Sequence, residues 1–256
     1  MLTVMEASPW QLRDVTAEYE AGRPDYPPAL ARILVAEVGL TPDAVVLDLA
    51  AGTGKLTRTV APLVRRVVAL DPAAPMLHAL RASRPSALVA AAAAEAIPLR
   101  DSALDSVLAG NAFHWFRADR ALAEMTRVVR RGGSLVVVWN IPELEGATEP
   151  QVGRLVDALE PYRGSRFGGE AVRSGRWLEP FERSPDLGPM EARRVGHEVA
   201  WTRSGLRDYV ASWSSFATLG EPVRTDVLAM VGRILDEAPE PIRVPHRLEA
   251  HWTFRT

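Results

Sequence analysis

Val46-Leu47-Asp48-Leu49-Ala50-Ala51-Gly52-Thr53-Gly54-Lys55 runs from an apolar strand, through an acid, into a loop of small residues and on towards a helix. Gly52 and Gly54 allow a tight turn and a close approach of backbone to ligand. The helix that follows points its N-terminal amides at whatever lies in the loop. In a doubly wound sheet this first crossover is where ligands bind. A second acid, Asp71, closes the next strand about 20 residues downstream, where a carboxylate accepts hydrogen bonds from both hydroxyls of a ribose.

Three nucleotide-binding patterns compete for this stretch. The dinucleotide fingerprint G-x-G-x-x-G has Thr57 in its third glycine position. The phosphate loop G-x-x-x-x-G-K-[ST] fits at Gly54-Lys55 but fails twice: Leu49 stands in place of its first glycine, and Leu56 in place of the magnesium-binding hydroxyl. The third pattern accounts for Asp48. A carboxylate at the loop repels a pyrophosphate but attracts a nucleoside that carries an ammonium and a sulfonium group and no phosphate. S-adenosylmethionine has that chemistry.

Outward from the loop, apolar runs alternate with stretches of helical spacing, as in a parallel sheet with crossover helices. Val45–Leu49, Val67–Asp71, Ala87–Ala92, Asp105–Asn111 and Ser134–Asn140 read as strands, apolar on successive residues as strands covered on both faces are. Leu30, Ile33, Leu34 and Val38 form one helical stripe; Leu122, Met125 and Val129 form another. Arg131-Gly132-Gly133 reads as a helix stop.

Beyond Asn140 the periodicity weakens, with one helix around Val152, Leu155, Val156 and Leu159. Val195–Thr202 and His246–Phe254 alternate like strands, and Gly205–Phe216 and Pro222–Glu237 read as helices. The expected organisation is a single domain, 1–256. It comprises a helical N-terminal lid over 1–40, a cofactor-binding core over 41–140, a cap over 141–193, and a segment over 194–256 that completes the sheet.

The composition excludes several classes of partner. Thirty basic against 32 acidic residues leave a net charge of −2, which offers no footprint for nucleic acid or an anionic membrane. Without cysteine there are no disulfides or thiolate metal sites, and no metal is expected. No apolar run is long enough for a membrane span or a secretory leader, so a cytoplasmic protein is expected. Arg163, Arg166, Arg173 and Arg176 cluster in the cap. Across 151–256, however, 15 Arg face 15 Asp plus Glu, which reads as a mixed, solvated surface. The aromatics Trp177, Phe181, Trp201, Trp213, Phe216 and Trp252 read mostly as core.

The stretch Leu47–Thr57 resembles the first motif of class I S-adenosylmethionine-dependent methyltransferases. Further segments follow in that family's order: Asp71-Pro72 with Met76-Leu77, Ala94-Glu95-Ala96-Ile97-Pro98-Leu99, His114-Trp115-Phe116, Arg127 to Gly133 and Val138-Trp139-Asn140. Upstream, Tyr19-x-x-x-Arg23-Pro24-x-Tyr26-Pro27 resembles a lid segment of a bacterial small-molecule branch. The resemblance implies a Rossmann-like α/β fold: a doubly wound, seven-stranded, mostly parallel sheet with an antiparallel last strand. It also implies methyl transfer from S-adenosylmethionine to a small-molecule acceptor, leaving S-adenosylhomocysteine.

The cofactor residues it implies are Asp48, Ala50, Gly52, Gly54, Asp71, Pro72, Met76, Ala94, Glu95, Asn111 and Ala112, with Tyr19 and Arg23 folding over the methionine carboxylate. Ala50 replaces the family's first glycine, a change tolerated if its φ stays negative. Ala93 stands where the family often has an acid near the adenine, with Glu95 beside it. His114 is the candidate general base, needed only if the acceptor must lose a proton; its other reading is a structural His-Trp-Phe cluster. Two alternatives stay open: a fold relative that uses the cofactor for another reaction such as a cyclisation, and a non-catalytic binding protein. The methylated atom, the acceptor and the oligomeric state are not legible.

Overall fold

The computed structural model describes residues 13–84, 86–162, 172 and 174–256. Parts of the expected lid and cap, with Arg163, Arg166 and Arg173, lie outside the described residues. The chain divides into two compact units. The larger comprises Asp25–Ile141, Gly168–His197 and His246–Thr256; the smaller comprises Met1–Pro24, Pro142–Phe167 and Glu198–Pro245.

The strands are β1 (Val45–Leu49), β2 (Arg66–Asp71), β3 (Leu88–Ala91), β4 (Leu104–Gly110), β5 (Val129–Pro142), β6 (Glu191–Trp201) and β7 (Ile242–Phe254). They form one sheet in the order β3-β2-β1-β4-β5-β7-β6. The pairs β1–β2, β1–β4, β2–β3 and β4–β5 are parallel. β7 runs against both its neighbours. On the β5 side, Gly132 N–H donates to Arg255 O and Glu143 N–H to Pro245 O; on the other side, in the segment just before β6, Gly188 N–H donates to Phe254 O and Thr256 N–H to Asp186 O. The sequence order reverses between β1 and β4, so the chain leaves these two adjacent strands towards opposite edges, which opens a crevice at their carboxyl ends.

The larger unit holds α2 (Pro28–Ala36), α3 (Lys55–Val60), α4 (Ala74–Ser83), α5 (Ala118–Val128) and α7 (Glu179–Arg183). The two-residue period of β5 divides its side chains between the two faces of the sheet. Leu135, Val137 and Trp139 pack with Leu47 and Leu49, with Leu122, Met125 and Val128 of α5, and with Trp177 and Phe181. Val136 and Val138 pack with Val46, with Leu30, Ile33 and Leu34 of α2, and with Leu248, Ala250 and Trp252 of β7.

The smaller unit holds α1 (Thr16–Gly22), α6 (Pro150–Leu159), α8 (Arg203–Ala211), α9 (Ser214–Ala217) and α10 (Glu221–Asp236). Its own core includes Leu155, Leu159, Trp201, Leu206, Tyr209, Phe216, Val231 and Leu235.

Two local expectations are corrected. The strand over 87–92 is not covered on both faces. β3 is the last strand at one edge and its residues are exposed or half-buried, with Leu88 52% exposed. Its Val89 carbonyl accepts a hydrogen bond from the Arg81 guanidinium on α4 at 2.9 Å.

Arg131-Gly132-Gly133 is not a helix stop. α5 ends at Val128, and Val129 is already extended and buried, paired with Leu104. The glycines serve a register shift instead. Gly132 has φ 72°, and a Cβ on Gly133 would lie 2.6 Å from the Asp105 carbonyl.

In the smaller unit, α1 crosses α8 at Gly22, where a Cβ would lie 2.0 Å from the Tyr209 nitrogen. The Gly22 carbonyl also accepts from Trp201 Nε1 at 2.9 Å. Backbone stands against backbone here, so no side-chain rotation relieves a substitution. Gly22→Ala should therefore lower the unfolding free energy by about 3 kcal/mol, the upper range for overpacking, as measured by urea denaturation.

Candidate functional site

The loop after β1 folds through three left-handed residues in alternation: Ala50 at φ 58°, Gly52 at 55° and Gly54 at 89°. Ala51 N–H donates to Leu70 O and Gly54 N–H to Ala51 O, closing the turn. Gly54 is needed twice, since a Cβ there would lie 2.8 Å from Leu80 Cγ on α4. The condition attached to Ala50, a negative φ, is not met. The loop requires the reversed backbone at its first position as well, and alanine accepts it at a cost of about 1–2 kcal/mol. The strain sits at the carboxyl end of the central strand, where such outliers cluster at ligand sites.

Asp48 is 1% exposed. Its Oδ2 accepts a hydrogen bond from Thr57 Oγ1 at 2.6 Å, and its Oδ1 has no hydrogen-bond partner. Loss of water pushes the Asp48 carboxyl up to about 7, the Asp71 charge adds to the shift, and the Thr57 hydrogen bonds oppose it. A buried carboxylate oxygen left without a donor is costly in the protein alone. A ligand ammonium or hydroxyl brought to it would remove that cost.

Asp71 closes β2. Its Oδ2 accepts from Gly52 N–H at 2.9 Å and its Oδ1 from Ala73 N–H at 2.8 Å. Burial raises this carboxyl and the two amides draw it back. Each oxygen keeps a second lone pair, which is what a ribose diol needs. The acid therefore also ties the β1 loop to the β2 loop.

The remaining expected residues of the larger unit differ in burial and in partners. Pro72 is exposed at the carboxyl end of β2; Met76, Ala94 and Ala112 are buried. Glu95 accepts from Arg117 N–H at 2.8 Å and so holds the segment leading into α5. Asn111 follows β4 with φ 53°, a conformation asparagine tolerates. His114 is half-buried on a 3-10 turn over Phe113–Trp115, its ring 5.1 Å from that of Trp115.

Tyr19 and Arg23 belong to the smaller unit and have partners there. The Arg23 guanidinium lies over the Tyr19 and Tyr209 rings and donates through Nε to Ser212 Oγ at 3.0 Å. Sequence reasoning assigned no role to Thr57, which it met only as a failed glycine position, nor to Tyr26, Asn140 and His197.

A cavity of about 440 Å³ lies elsewhere, lined by Leu122, Thr126, Arg127, Pro180, Arg183 and Arg255 among others. Its guanidinium groups are engaged: Arg127 with Glu124 and Asp101, Arg183 with Asp119, and Arg255 with the Val129 carbonyl. Among the described residues no group of three or more His, Asp or Glu side chains is arranged to hold a metal.

A doubly wound sheet with a strained small-residue loop and paired acids at the ends of β1 and β2 defines a nucleoside-cofactor protein. Similarity to known proteins narrows the class. The methyltransferase domain family matches residues 47–137. A methyltransferase of Mycobacterium tuberculosis, itself uncharacterised, is 36% identical over 226 residues, spanning 86% of this chain and 84% of that protein. The demethylmenaquinone methyltransferase of Renibacterium salmoninarum is 39% identical over 107 residues, 41% of this chain and 45% of its own. Among solved structures, a putative type II methyltransferase from Anaeromyxobacter dehalogenans is similar with a TM-score of 0.66 and 28% identity, covering 91% of this chain and 97% of that one. The chain belongs to the S-adenosylmethionine-dependent methyltransferases, and S-adenosylmethionine is its cofactor.

Two measurements check the loop. Ala50→Gly should raise the unfolding free energy by about 1 kcal/mol in urea denaturation, because glycine adopts the left-handed conformation without a Cβ clash. The Asp48 carboxyl lies above its unfolded value, so the folded state holds the proton more tightly. Stability is then lost as pH rises from about 4 towards 7, and the penalty is complete above that. The melting temperature of Asp48→Asn should therefore gain on that of the wild type between pH 5 and pH 8, by at least about 2 °C, the shift that roughly 1 kcal/mol gives in a chain of this size.

Proposed function

We propose that the enzyme methylates a small-molecule acceptor, with its cofactor lying over the carboxyl ends of β1, β2 and β4. The observation that carries the cofactor's placement is the buried Asp48 oxygen with no partner beside a loop of three left-handed residues. In this reading Asp48 receives the methionine ammonium and Asp71 the ribose diol. Gly52 and Gly54, with Ala50, let the backbone approach, and Pro72, Met76 and Ala94 border the nucleoside. Asn111 and Ala112 border the reacting end. Glu95 reaches the cofactor only by way of the segment it holds.

A small acceptor is favoured over a nucleic acid by the near-zero net charge, and a methyl group goes to demethylmenaquinone in a relative that matches over 107 residues. S-adenosylmethionine, when bound, supplies an electrophilic methyl group on a cationic sulfur. The protein's part is to fix the line of attack and exclude water, which can supply much of the rate of a displacement whose leaving group is already activated. His114 serves as a base only for an acceptor that must shed a proton.

Titration calorimetry tests the cofactor site. S-adenosylhomocysteine should bind, with affinity that falls as pH drops through about 7 and Asp48 takes up its proton. Asp48→Asn should weaken binding about tenfold or more, since it removes a charge-assisted pair, and should flatten the pH profile. Binding of ATP or NAD in place of either cofactor form would end the proposal. Incubation with methyl-labelled S-adenosylmethionine and a panel of metabolites should yield a labelled small product. Label found only in RNA or protein would overturn the acceptor class.

A further inference from the structure

Asp48 differs from several other acids of the larger unit in the kind of partner it has. Asp105, Glu124 and Glu249 are each met by a guanidinium at 2.7 Å, from Arg130, Arg127 and Arg247 respectively. Those charges are neutralised where they stand. Asp48 is met instead by Thr57, whose hydroxyl donates to Oδ2 at 2.6 Å. A hydroxyl gives a hydrogen bond without a positive charge, so the carboxylate keeps its attraction for a cation. An arginine in that place would take the charge for itself.

The elements packed around Asp48 bring no cation to it. On α3, Lys55 and Arg58 turn to the Asp25 carboxylate, at 3.6 Å and 3.0 Å. On β2 the charge that acts on Asp48 is Asp71, of the same sign. On β4 the acid is Asp105, at the far end of the strand, where it accepts from Val45 N–H and from Arg130.

Thr57 is fully buried in the first turn of α3. A threonine within a helix often turns its hydroxyl to the carbonyl one turn back. Here that is the Thr53 carbonyl, which faces Arg58 Nη1 at 3.3 Å instead. The Thr57 proton goes across the loop to Asp48. With Oδ2 so held, Oδ1 is the oxygen left without a hydrogen-bond partner.

We infer that Thr57 is a positioning residue for cofactor binding: its hydroxyl fixes one oxygen of Asp48 so that the other faces the ammonium of the bound nucleoside. The inference rests on the reading of Asp48 as the partner of that ammonium. The same hydrogen bond favours the anion over the acid, against the lift that burial gives this carboxyl. Without it, more of the protein carries a proton on Asp48 at neutral pH. That proton must pass to the buffer when the ammonium arrives, and binding is weakened by the cost of removing it.

Titration calorimetry with S-adenosylhomocysteine between pH 5.5 and pH 8.5 reads both effects. Wild type should lose affinity as pH falls through about 7. Thr57→Val, which removes the hydroxyl and stays close in shape, should move that fall up by about one pH unit, the size expected of one hydrogen bond to a charge. At pH 7.5 this variant should bind about threefold or more weakly and release about half a proton more per ligand, read from the dependence of the heat on the buffer's ionisation enthalpy. The gap should narrow towards pH 8.5. Thr57→Ser, which keeps the hydroxyl, should return both readouts to those of wild type. Thr57→Ala carries the valine expectation if circular dichroism shows that the valine variant does not fold.

If wild type does not bind S-adenosylhomocysteine, the cofactor site itself fails. If it binds equally at every pH and Asp48→Asn binds as well, the role given to Asp48 fails. If wild type shows the fall with pH but Thr57→Val weakens binding by one factor throughout, with no added proton release, Thr57 serves packing alone. The inference is then wrong while Asp48 keeps its role. A valine variant that binds like wild type, or a serine variant that behaves like valine, overturns it equally.

Discussion

A carboxylate withdrawn from water and hydrogen-bonded by one residue alone, Thr57, is the constraint around which the larger unit is built. Asp48 sits at the end of the central strand, paired in register with Ala69 on one side and Leu108 on the other. Its backbone is locked in the sheet, and its side chain reaches no donor except Thr57. A protein selected for stability alone would fill such a position with an apolar residue, because burying an under-satisfied carboxyl costs more than burying a leucine of similar size. The three left-handed residues that follow add strain of the same sign. Both costs fall on one turn, and both are of the kind a cationic nucleoside can offset.

The fold makes that turn possible by assigning neighbours separate tasks. The strict alternation of β5 covers both faces of the sheet and leaves the strand ends free of core-forming work. The polar groups at those ends then serve one another. Asp71 binds the backbone of the loop before it, Glu95 binds the segment before α5, and Asn140 joins the end of β5 to the end of β4. Each hydrogen bond is worth about 1 kcal/mol net. Their value lies in fixing one geometry for a surface that has no hydrophobic core of its own.

The strands around the Asp48 loop were legible because apolar runs, acids and glycines each carry a local physical signature. The antiparallel β7 came only from family resemblance; its alternation alone says strand, not direction. Legibility failed where local and long-range demands diverge. Alanine favours a negative φ by its chemistry, but the loop imposes the reverse on Ala50. Gly132 and Gly133 read as a helix stop because glycine ends helices, whereas the crowding that demands Gly133 comes from Asp105, far away in sequence. The edge position of β3 cannot be read from Ala-rich residues that suit either a covered or an open strand. Asn140 was read only as the end of a strand and of a family segment, and His197 only as part of a strand. They meet across 57 residues of sequence, and neither stands in a motif that announces a hydrogen bond.

The open flank at β3 has a consequence for life at high concentration. A bare strand flank is a template on which a second copy can add itself, and sheets exposed in this way seed fibrils. Here the flank is four residues long, and the Val89 carbonyl is already occupied by an arginine from the helix behind it. An incoming strand would have to evict a charged group and return it to water, for a gain of only a few backbone bonds. The same short strand that leaves Leu88 uncovered thus keeps the molecule from propagating its own sheet.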